Sequence, residues 1–86
     1  MKTVIVFFYL INGTLVSYTA SEYQAFQQSE SVPAWVSCDI LITDPGFTEG
    51  VKADLGEGES MRAACYRTPD LLELGTPLAE NLIEKD

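Results

Sequence analysis

Cys38 and Cys65 are the only two cysteines, and the residues around them are the chain's nearest approach to reaction chemistry. Cys65 stands between Ala64 and Tyr66, with Arg62 and Arg67 close by. Guanidinium groups beside a thiol lower its pKa and favour the reactive thiolate. A nucleophile also needs a base, and histidine, the usual one, is absent. Cys38 alternates with Val36 and Ile40, which marks a core position rather than a reactive one. The cysteine spacing matches no CxxC redox or metal motif. The expectation is two buried free thiols, since a bridge requires an oxidising compartment.

Other patterns carry no more chemistry. Gly56-Glu57-Gly58 is a lone GxG. It lacks the third glycine of a phosphate loop and puts acids where phosphates would approach, so it reads as a flexible turn. Asp39, Asp44, Glu49, Asp54 and Glu59 recur every five residues. That spacing matches neither the helical nor the strand period, so they form no single stripe within an element. There is no DxDxDG loop for calcium. No catalytic, cofactor-binding or metal-binding residue is expected, and the chain reads as non-enzymatic.

The charge says more about partners. The chain of 86 residues carries 13 acids and 5 bases, a net charge of −8. This opposes direct binding to nucleic acid or to an anionic membrane and favours a basic protein partner. Positions 1–21 hold no acid and only Lys2, whereas positions 22–59 hold eight acids against Lys52. The N-terminal part therefore reads as core and the acids as its wrapping. Asp39, Asp44, Glu49, Asp54, Glu57 and Glu59 are the candidate partner-binding acids, with Trp35 as an aromatic anchor beside Pro33. A rigid acidic surface of this kind could imitate the phosphates of DNA and occupy a basic groove on a nucleic-acid-binding protein.

The elements that must position these residues begin with a hairpin. Residues 3–11 are too few for a membrane span. With Lys2 they resemble a secretory signal, but the run is rich in Val, Ile, Phe and Tyr, and Tyr18 spoils the cleavage site after Ala20. Asn12-Gly13 between two β-forming runs predicts a hairpin of strands 3–11 and 14–19. The first strand is apolar on both faces, so it belongs in the middle of a sheet, or under a second copy of the chain. Thr19 to Glu22 and Ser21 to Gln24 read as capping boxes for a helix over 20–29, with Tyr23 and Phe26 on one face.

Period-two alternation then predicts strands at 34–43 and 47–55, separated by a turn at Asp44-Pro45-Gly46. Positions 61–68 read as a last strand, with a helical turn as the alternative. Thr68-Pro69 and Thr76-Pro77 each resemble a helix start, with Gly75 as a C-cap between them. The sum is a single α+β domain over 1–86, an antiparallel sheet with helices on one face and a C-terminal helix. In size, acidity and lack of a catalytic set it is similar in type to the accessory inhibitor proteins of phages and mobile elements. The leading expectation is a cytoplasmic protein-binding inhibitor. The alternatives are a structural subunit forming a homodimer and a small secreted protein with a cleaved signal.

Overall fold

The computed structural model describes residues 1–69 and 75–85. Strands β1 (Lys2–Ile11) and β2 (Thr14–Glu22) form the expected hairpin. Asn12 and Gly13 have φ of 50° and 80°, the paired positive values that a tight two-residue hairpin turn requires. Three helices follow: α1 (Tyr23–Ser29), α2 (Cys38–Leu41) and α3 (Pro45–Asp54). The chain returns as β3 (Glu59–Thr68) and β4 (Ala79–Glu84). The strand order is β2-β1-β3-β4, antiparallel throughout. The doubly apolar first strand is central, as its composition requires.

The sheet is covered on one face. Ile5, Ala63, Cys65 and Ile83 point to the helical layer and pack with Tyr23, Val36, Cys38, Leu41, Ile42 and Leu55. The opposite face carries a smaller cluster of sheet residues, Val4, Val6, Ala64 and Tyr66, flanked by Phe8 and Ala20. No helix lies over it among the described residues. Long side chains on this face pack against one another. The Arg62 guanidinium lies 5.1 Å from the centre of the Phe8 ring, its cross-strand partner, and the Tyr18 ring lies 6.0 Å from Phe8.

Several expectations are corrected. The predicted strand at 34–43 is a turn followed by α2. Val36, Cys38 and Ile42 are buried as alternation demanded, but Leu41 is buried in place of Ile40. Positions 38, 41 and 42 follow the helical period, and that period prevailed. The predicted strand at 47–55 is α3. Its inward residues Phe47, Val51 and Leu55 are four apart, a spacing that both periods satisfy. The deciding signal lay one step earlier. Asp44 caps α3 by accepting a hydrogen bond from the Phe47 N–H at 3.0 Å, and Pro45 follows it at the start of the helix.

The second Thr-Pro start fails: the segment after Pro77 is β4, so the last element is a strand, not a helix. There the edge of β3 offers unpaired backbone groups, and pairing along it from Ser60 to Cys65 outweighs local helix signals. The helix expected after Thr68-Pro69 falls outside the described residues. β2 runs on to Glu22, so neither capping box forms, and α1 starts without a side-chain cap.

The free thiols are also corrected. Cys38 and Cys65 are bonded, tying α2 to the centre of β3 across a separation of 27 residues. The Cys65 sulfur is therefore no nucleophile in this structure. Two side-chain hydrogen bonds add to the tie. The Asn81 amide donates to the Ile42 carbonyl at 2.8 Å, and the Lys85 ammonium to the Leu55 carbonyl at 3.0 Å. Closing a loop of this length removes about 3–4 kcal/mol of chain entropy from the unfolded state. Replacing both cysteines by serine should therefore lower the urea midpoint by the equivalent of about 3 kcal/mol. An unchanged midpoint in urea titration would show that the bridge adds nothing to the fold.

Candidate interaction surfaces

Of the six acids singled out in the sequence, four are engaged locally. Asp39 opens α2 and accepts a hydrogen bond from the Ser37 hydroxyl at 2.6 Å. That bond is the main reason its carboxyl titrates below the ordinary aspartate range. Asp44 caps α3. Glu49 lies 3.8 Å from the Lys52 ammonium, one helical turn on. The Glu59 carboxylate accepts from the Gly56 N–H and closes the turn before β3. Glu57 lies exposed in that turn, and Asp54 is exposed at the end of α3. Asp44, Glu49 and Asp54 step round the helix by about 140° each, so they do not share a face.

Trp35 stands apart from these. It is 80% exposed, the most exposed aromatic side chain among the described residues. Its backbone is not loose. The neighbouring Val36 carbonyl accepts from the Tyr23 hydroxyl at 2.6 Å and from the Gln27 amide at 2.9 Å. Val36 itself is buried, and Cys38 is held by the disulfide. The indole therefore projects from an anchored segment. Ile40, half exposed at 50%, lies on the same short stretch, as does Asp39.

A third feature escaped the sequence reading. Between α1 and α3 the sheet is left uncovered along a groove of about 400 Å³. Phe7 and Met61 form its floor, and Phe26, Phe47 and Val51 its walls. The Phe7 ring sits 5.6 Å from Phe26 and 6.0 Å from Phe47. In the sequence these residues looked like ordinary core. Phe47 and Val51 face the groove because α3 is a helix lying on the sheet, and the misread strand concealed it.

Among the described residues, no group of three or more His, Cys, Asp or Glu side chains is arranged to hold a metal. No helix among them is long and apolar enough to cross a membrane. No protein-family model, curated protein or solved structure matches the chain.

The Tyr23 anchor can be tested by pH. Burial raises the phenol's pKa above its ordinary value of 10.0; a hydrogen bond with Gln27 opposes this, and the charge of Asp39 adds to it. The folded phenol thus keeps its proton to higher pH than the unfolded one. Its stabilising share is complete below pH 10 and is lost as the pH rises through the folded value. Tyr23→Phe should cost about 1 kcal/mol at neutral pH. The gap between wild type and variant should narrow in denaturant titrations run above about pH 10. A gap that widens there would contradict the assigned burial.

The caps give a second test. Asp44→Ala should cost about 1 kcal/mol, whereas Asp44→Asn should be nearly neutral because the amide oxygen still accepts from the Phe47 N–H. Equal losses in thermal melts would show that charge, not capping, is the role of Asp44.

Proposed function

We propose that this protein is a non-enzymatic module that binds another protein through a basic surface on the partner. The observation that carries this reading is Trp35, 80% exposed on a segment held by Tyr23, Gln27 and the disulfide. Leaving a large aromatic side chain in water forgoes its burial on folding, and a partner pocket restores it. Anchoring the backbone beforehand reduces the entropy lost when the partner arrives. Around this anchor the net charge of −8 steers basic surfaces toward the chain.

The more specific version is an inhibitor that imitates the phosphates of DNA. The number of exposed acids supports it, but their order does not, since the α3 acids point in different directions. The Cys38–Cys65 bond supports an oxidising compartment over the cytoplasm. A homodimer has one observation in its favour. On the sheet face opposite the described helices, Tyr18 and Leu82 stay 61% and 53% exposed at either end of the row through Phe8 and Arg62. Light scattering at micromolar concentration separates the dimer from a chain of 9.5 kDa.

The test of the main reading is capture from an extract of the native host, with the wild type and Trp35→Ala run side by side. A basic protein should bind the wild type. Trp35→Ala should weaken that binding by roughly 2 kcal/mol or more. Replacing Asp44, Glu49 and Asp54 by Asn, Gln and Asn keeps the α3 cap and should slow association without unfolding the chain. Association should also slow as salt shortens the Debye length from about 10 Å at 0.1 M to about 3 Å at 1 M. Binding indifferent to salt, to the triple change and to Trp35→Ala would remove this surface from the account.

A further inference from the structure

The geometry points to the groove between α1 and α3 as a docking site for a cationic amphipathic helix of a partner protein, which would insert two or three apolar side chains between Phe26 and Phe47. This inference rests on the reading of the protein as a protein-binding module and names a second contact for it, separate from Trp35.

The packing of the core is uneven. Around Cys65 and toward β4, Ile5, Ile42, Ala63, Cys65 and Ile83 are at most 2% exposed. Along the groove the larger residues Phe7, Phe26, Phe47, Val51 and Met61 are only partly buried, although they belong to the same cluster. Three phenyl rings and a thioether thus face an open space lying between two helices, where one side chain or more can enter. Methionine and tilted aromatic rings adapt to varied apolar shapes. A trough bounded by two helices over a sheet suits side chains at helical spacing from a third helix.

Charge decides among occupants. The charged residue on the lip is Glu30, and no Lys or Arg lines the groove. With a net charge of −8 behind it, an anionic occupant such as a fatty-acid carboxylate is repelled at the entrance. A second copy of this chain meets the same like-charge opposition. A helix with apolar residues on one face and lysines or arginines on its flanks satisfies both the apolar walls and the acidic lip.

The test uses the full disulfide-bonded chain and a synthetic peptide probe. The peptide is a Leu/Lys sequence of about 18 residues with leucines at i, i+3, i+4 and i+7, paired with a control of equal charge in which every leucine is serine. Calorimetric titration should show binding of the leucine peptide at least about tenfold tighter than the control. Val51→Arg puts a like charge into the groove wall and should weaken the leucine peptide by about tenfold or more. Val51→Ser serves as the second variant, and methyl NMR shifts of Met61 and Val51 in the wild type report occupancy without any substitution.

Equal binding of both peptides would reduce the contact to surface charge and overturn the inference. So would an absence of binding, or binding untouched by either Val51 variant. Laurate displacing the peptide from the same methyl groups would assign the groove to a lipid instead. Self-association that perturbs those methyls would assign it to a second copy. Trp35→Ala should leave peptide affinity unchanged. Trp35-dependent capture without peptide binding would sink the groove alone, and peptide binding without such capture would sink the Trp35 surface alone.

Discussion

Strand β1 carries apolar side chains on both faces, and the described helices cover only one of them. Everything else in the fold answers to that imbalance. Ile5, Phe7 and Tyr9 meet the helical layer, while Val4, Val6 and Phe8 face the other way. On that second side the small residues Val6 and Ala64 are fully buried. The Arg62 guanidinium lies over the Phe8 ring on the same side, and its Nε is buried without a hydrogen-bond partner among the described residues. The stem of an arginine shields apolar surface while part of its head stays near water.

The helical layer itself has little intrinsic stability. Its helices run to 7, 4 and 10 residues, lengths at which isolated helices do not persist in water. They are held by tertiary ties. The disulfide fixes α2, the Tyr23 and Gln27 hydrogen bonds fix the loop before it, and Asn81 and Lys85 reach from the C-terminal segment to the carbonyls of Ile42 and Leu55. The groove opens where α1 and α3 stand apart over Phe7 and Met61.

This distribution relates stability to the proposed interactions. Trp35 projects from a well-tied segment, where a fixed backbone makes an effective anchor. The groove is the less tightly packed part of the core, where an added side chain meets unfilled apolar surface. The acids serve both sites through long-range attraction, while most of them also hold a local cap, turn or ion pair. A carboxylate that caps a helix remains exposed and charged, so the two roles do not compete.

Composition and local chemistry settled the central hairpin, because Asn12-Gly13 between β-forming runs permits little else, and a strand apolar on both faces cannot lie at an edge. They also settled the existence of α1, and favoured β3 over a helical turn. They left α2, α3 and β4 to tertiary structure. Phe47, Val51 and Leu55 satisfy both helical and strand periods, and the Asp44-Pro45 cap together with packing on the sheet selects the helix. Thr76-Pro77 resembles a helix start in isolation, yet the unpaired edge of β3 draws the segment into the sheet. The Cys38–Cys65 bond joins residues 27 apart, and no local rule brings them together. The acids and Trp35 were visible as residue types in the sequence. Which of them project, and the groove beside them, depend on how short helices settle on a sheet, a matter of packing between residues distant in the chain.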